Sequence, residues 1–217
     1  MKALNVYTLG RKDYQEVLDL QRKLSRLRSE GKINDSLLLT EHEHVFTVGR
    51  GGNRAEILID EARVMKEGIQ IFEIERGGST TYHGPGQLVG YPIINLKELQ
   101  CSPVTFLRKL EEVLIRSLND YNIKAQAVAG KTGVWVANAK IASIGIHVSR
   151  WITRHGFALN VSTDLRYFRM IIPCGIPECE YTNIAQLTGI KVALEEIIPL
   201  VVKHYADVFH VEISPGL

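Results

Sequence analysis

Residues 69–94 read IQIFEIERGGSTTYHGPGQLVGYPII. The two ends of this stretch, 69–74 and 88–94, are short apolar runs bounded by turn residues, and each reads as a buried strand. Between them, residues 76–87 hold four glycines and one proline in twelve positions. The spacing predicts a loop whose backbone can approach a ligand closely, with Arg76, Tyr82 and His83 as polar handles. A tight structural connection is the plainer alternative, because loops are rich in glycine for many reasons. The pattern is no phosphate loop, since no lysine follows the glycines in GxxxxGK[ST] form, and Gly84, Gly86 and Gly90 miss the GxGxxG spacing.

Working outward, residues 3–9 alternate like a strand, and Tyr14, Val17, Leu18, Leu24 and Leu27 recur at helical spacing until Gly31. Residues 36–40 and 44–48 read as strands ending in the loop Gly49-Arg50-Gly51-Gly52, and a short helix is expected near 60–67. Downstream, Ser102 and Pro103 are a helix cap and first-turn pair. The amphipathic helix they open runs through Phe106, Leu107, Leu110, Val113, Leu114 and Leu118. Residues 123–128, 133–137, 140–149 and 155–161 form a series of β segments, with a tight turn at Ala137-Asn138-Ala139. A last helix spans about 194–209 and carries Pro199, where it can bend. Several strands follow one another directly, so the expected fold is a mixed α/β sheet with helices packed against it, in one domain over 1–217, and not a regular βαβ repeat.

Charge narrows the function. The chain of 217 residues has 26 Lys plus Arg against 24 Asp plus Glu, a net +2 that is far from the basic excess of a nucleic-acid binder. No apolar stretch is long enough to span a bilayer, and the first ten residues show no export signal. Three cysteines, Cys101, Cys174 and Cys179, form neither a repeated CxxC pattern nor an even disulfide set, which points to a reducing, cytoplasmic setting.

Cys174 stands in Ile171-Ile172-Pro173-Cys174-Gly175-Ile176-Pro177, between an apolar run and a proline-bounded turn, and is the candidate nucleophile. Cys101 and Cys179 read as structural. A nucleophilic thiol needs a cationic or basic neighbour, because at an ordinary pKa of about 8.5 only ~3% is thiolate at pH 7. Lys140 opens an otherwise apolar strand, where desolvation favours a neutral amine, and is the candidate partner; His83 and His155 compete for the role. His42 and His44 are spaced as metal ligands on a strand face could be, but no third ligand completes a site.

Together these segments resemble the lipoyl(octanoyl)transferase family over nearly the whole chain. Residues 76–92 fit RGGxxTYHGPGQLxxYP, Lys140 to Gly145 fits KIASIG, His155 to Val161 fits HGxALNV, and Pro173-Cys174-Gly175 fits PCG, in order. One local departure is Glu41-His42-Glu43-His44, where the family commonly has EHPPV-like residues. The resemblance implies the fold of biotin and lipoate protein ligases, with Cys174 as acyl acceptor and Lys140 as its base. It also implies an acyl site formed by Arg76, Gly77, Gly78, Ser79, Thr80, Thr81, Tyr82 and His83, by Ser143, Ile144 and Gly145, and by Gly156, Phe157 and Ala158. No cofactor or metal is implied. The expected donor is an octanoyl-acyl carrier protein. The expected acceptors are lipoyl domains of 2-oxoacid dehydrogenase complexes or the glycine cleavage H protein, and the enzyme is expected to be a monomer. Ala142, Ile144, Phe157 and Leu159 are the expected walls of an acyl tunnel, and Arg50, Arg54, Arg150 and Arg154 the cations available to steer acidic partners. An ATP-dependent ligase on the same fold and a non-catalytic acyl-binding protein are the rival readings.

Overall fold

The computed structural model describes residues 2–172 and 179–215. The chain opens with β1 (Lys2–Lys12), α1 (Tyr14–Ser29), β2 (Asp35–His42) and β3 (Val45–Val48). Asp13 caps α1 by accepting hydrogen bonds from the amides of Gln15 and Glu16. After α2 (Glu61–Lys66) come β4 (Gln70–Glu73), β5 (Thr80–His83) and β6 (Gln87–Ile93), then α3 (Pro103–Asn119), capped by Ser102. Four strands follow directly: β7 (Gln126–Val128), β8 (Lys131–Val136), β9 (Ala139–Ser149) and β10 (Ile152–Asn160). The described chain closes with β11 (Glu180–Tyr181), α4 (Ile184–Thr188), α5 (Leu194–Phe209) and β12 (Val211–Pro215).

The main sheet has the order β12-β1-β2-β6-β10-β9-β8-β7, with β11 pairing alongside β9, and β4-β3-β5 form a second small sheet. β1 runs parallel to both β12 and β2, whereas β2, β6, β10, β9 and β8 are antiparallel neighbours, so the sheet is mixed as expected. Side-chain alternation divides the core. Leu37, Leu39, Leu88, Phe157 and Leu159 join α3 and α5 in the main cluster, while Leu38, Val89, Tyr91 and Ala158 point the other way, under Val17 of α1.

Four elements, β5, β11, α4 and β12, are absent from the sequence reading. The glycine-rich loop is interrupted by β5, whose four residues are all buried. Thr80-Thr81-Tyr82 is β-branched and aromatic, and it pairs residue for residue with β3. β12 was not foreseen; it adds a strand to the outer edge of β1. α5 runs continuously through Pro199. Among the described residues no helix is long and apolar enough to cross a membrane.

Candidate active site

The middle of the main sheet is short of side chains. On the face that carries Ala158, the register sets Ala158 of β10 opposite Val89 of β6 and Ser143 of β9, and sets Gly156 opposite Gly145. A strip of hydrogen, methyl and hydroxymethyl groups leaves open the layer that larger residues would fill. A cavity of about 230 Å³ lies there, bordered also by Tyr14 of α1, by Thr80, Thr81 and His83 of β5, and by Tyr91, Trp135 and Lys140. The glycines are sterically required. A Cβ on Gly156 would meet the Gly90 carbonyl and lie 2.5 Å from Pro92 Cδ, and one on Gly145 would lie 2.7 Å from the Gly77 oxygen. Exposed Gly78, Gly130, Lys131 and Thr132 form the mouth, and buried Tyr14, Val89, Tyr91 and His155 form the closed end.

The Arg76–Ser79 segment is fastened on both sides. Arg76 is buried and donates to the carbonyl oxygen of Thr47 at 2.6 Å and to its hydroxyl at 2.9 Å. The amide of Gly77 donates to the Ile146 carbonyl of β9, and the amides of Gly49, Arg50 and Gly51 donate to the carbonyls of Ser79, Arg76 and Gly78. Glu56 accepts from the Ser79 hydroxyl and from the Thr80 amide at 3.0 Å. Glu56 was not a sequence candidate; its role depends on a fold-level approach across 23 residues of chain.

A hydrogen-bond relay of fixed direction ties His83 to the strand of Lys140. Asn160 Nδ2 donates to the Thr182 carbonyl at 3.1 Å, which leaves Asn160 Oδ1 to accept from Gln87 Nε2 at 2.9 Å. Gln87 Oε1 then faces His83 Nδ1 at 2.8 Å and must accept from it. His83 is therefore the Nδ1–H tautomer with a bare Nε2, and burial drives its pKa down to about 3, so it is neutral. At the other end the Thr182 amide donates to the Lys140 carbonyl at 3.0 Å. Gln87 and Asn160 lay inside the quoted motifs but were not singled out, because strand alternation alone does not show which polar residues meet across β6 and β10.

The structure gathers most of the expected substrate-binding residues. Arg76, Gly77, Gly78, Ser79, Thr80, Thr81, His83, Ser143, Ile144, Gly145, Gly156, Phe157 and Ala158 all border the cavity, as does Lys140, 3% exposed. Tyr82 does not. Alternation on β5 sends it into the second cluster, against Phe46, Tyr167 and Phe168. Cys174 lies outside the described residues. Of the expected tunnel walls, Ile144 and Phe157 touch the cavity while Ala142 and Leu159 do not, and all four belong to the main core cluster. Tyr14, Val89, Tyr91 and Trp135 were missed, since in sequence they look like ordinary core residues.

The remaining candidates disperse. His42 is bonded to Tyr91 Oη at 2.8 Å and His44 stacks on Tyr167 at 4.3 Å, so the pair shares no metal site. Among the described residues, no group of three His, Cys, Asp or Glu is placed to hold a metal ion. His155 is buried in the left-handed region at φ 57°, with burial lowering its pKa to about 3. Burial pushes the Cys101 thiol up, and Cys179 is half-buried. Arg154 is committed to Glu75 at 2.5 Å, which removes it from the set of steering cations.

Residues 13–206 match the lipoyl protein ligase A/B catalytic domain family. The octanoyltransferase of Solibacter usitatus is 46% identical over 208 residues, covering 96% of this chain and 94% of the relative. The chain belongs to the octanoyltransferase family. The fold is that of lipoate and biotin ligases. A bipartite lipoate protein ligase from Thermoplasma acidophilum, solved in a study that included its E2 lipoyl domain, superposes with a TM-score of 0.78 at 17% identity, covering 100% of this chain and 87% of the other. The biotin protein ligase of Aquifex aeolicus gives 0.54 at 15% identity, covering 97% of this chain and 70% of its own. The octanoyltransferase relationship thus extends along nearly the full chain.

Proposed function

We propose that this enzyme transfers an octanoyl group from the thioester of an acyl carrier protein to a lysine amine of a lipoyl domain, by way of an acyl thioester on Cys174. The observation that carries the reading is the buried amine of Lys140 bordering an acyl-sized cavity floored by Ser143, Gly145, Gly156 and Ala158. Lys140 takes the Cys174 proton, and the thiolate attacks the donor carbonyl. A carbon–sulfur bond to Cys174 forms as the bond to the carrier's thiol breaks, and that thiol leaves with the proton. The acceptor amine, neutral when it attacks, then forms the amide as the carbon–sulfur bond to Cys174 breaks, and gives up a proton to Lys140, which returns the Cys174 thiolate beside the lysine ammonium. Seven apolar carbons at about 0.8 kcal/mol each give the buried chain roughly 5 kcal/mol of binding. The reaction starts from an activated carbonyl and needs no nucleotide, whereas a ligase on this fold would adenylate a free acid.

Intact mass after mixing with octanoyl carrier protein should show an adduct of octanoyl size. Cys174→Ala should abolish it, and Lys140→Ala should slow its formation most near neutral pH. Acylation of the acceptor from free octanoate and ATP without carrier protein would make the enzyme a ligase. An unchanged mass in the presence of the donor would leave it a binding protein.

A further inference from the structure

Lys140 does not stand alone at the cavity wall. Its register partner on β8 is Trp135, and the Lys140 ammonium lies 5.3 Å from the centre of the indole. Both residues border the cavity and both are buried. The other side of the lysine is confined by backbone: a Cβ on Gly133, at φ 121°, would lie 2.6 Å from Lys140 Cε and 3.4 Å from Nζ. Gly133 is itself held by its amide, which donates to Glu111 at 3.0 Å. Lys131 also reaches the indole, at 5.2 Å, but it is exposed at the mouth, where water competes for its charge.

We propose that Trp135 is a positioning residue for Lys140. The negative face of the ring attracts an ammonium and not a neutral amine. When the sulfur–hydrogen bond of Cys174 breaks and the proton joins Lys140 Nζ, the resulting ammonium gains the ring contact. The ring exchanges no atoms; it favours the thiolate by stabilising the lysine form that must accompany it. This inference rests on the acyl-transfer reading above.

The test varies the electrons of the ring and leaves its shape nearly constant. The chain has two tryptophans, and Trp151, at an exposed hairpin tip outside the cavity, is first replaced by Trp151→Phe. Protein is then made with tryptophan carrying zero to three ring fluorines. Two rates at Cys174 are read by peptide-resolved mass: acylation by octanoyl carrier protein and alkylation by iodoacetate, which involves no acyl chain. Both should fall with each fluorine, by about tenfold across the series, with KM for the carrier unchanged. Trp135→Phe should retain part of the rate that Trp135→Leu loses. Rates independent of fluorine content, in an enzyme that acylates normally, overturn the role of the ring. Failure of the unfluorinated protein to form the adduct overturns the transfer reading, and this inference with it.

Discussion

Ala158 shows how much one side chain decides here. Its methyl group lies in the shallow strip between Val89 and Ser143, bordering the cavity. Ala158→Leu adds three carbons to that floor, and a rigid sheet gives little room for them to retreat. We expect octanoyl transfer to drop tenfold or more while a butanoyl donor is spared, read as the ratio of kcat/KM for the two donors. An unchanged ratio would mean that the chain does not lie over Ala158. The family motif marked Ala158 and Gly156 in the sequence. Their geometric reason, a facing pair of small residues on β9, depends on a register that no local pattern displays. Tyr82 illustrates the converse: it sits inside the motif, yet alternation along β5 turns it into the core.

At the level of elements, the end of α1 is locked to the start of β2 through charge. Arg28 is buried and donates to Asp35 at 2.7 Å and to Glu98 at 3.1 and 2.7 Å, while the Asn95 amide also donates to Asp35. Burial pushes the Asp35 carboxyl up, against the pull of the Asn95 amide and of Arg28. Removing the guanidinium strands a buried carboxylate, so Arg28→Leu should cost about 3–5 kcal/mol in urea unfolding, and Arg28→Leu with Asp35→Asn together should cost less than Arg28→Leu alone. A double variant no more stable than the single one would place the loss elsewhere. Apolar periodicity marked α1, α3, α5 and most strands to within a few residues, because each buries one face. β5 escaped because glycines on both sides outweigh three strand-forming residues, Thr80, Thr81 and Tyr82, in any local reading. β12 escaped because its strand character comes from pairing with β1, more than two hundred residues away in the chain.

Across the whole molecule, the buried histidines set an acid limit. Burial lowers His42 to about 4 and His83 and His155 to about 3, whereas in the unfolded chain each titrates near 6.5. Below pH 6.5 the unfolded state therefore takes up protons that the folded state refuses. Stability is complete above that pH and falls as pH drops from 6.5 towards 4, by at most ~1.4 kcal/mol per unit for each histidine. Urea midpoints at pH 7.5, 6 and 5 should show the decline, and His42→Gln should make it shallower. A flat profile over that range would mean that these rings are not neutral and buried together.

The vacancy over β9 and β10 has a further consequence. A folded protein that leaves a gap beside its own core forgoes dispersion and burial it could otherwise have had. On the acyl-transfer route proposed above, an octanoyl tail held in this cavity would supply the missing hydrocarbon as though it were one of the protein's own side chains. The loaded enzyme should then melt several degrees above the free one, and differential scanning calorimetry of the two forms should show the intermediate to be the more cohesive state of the fold.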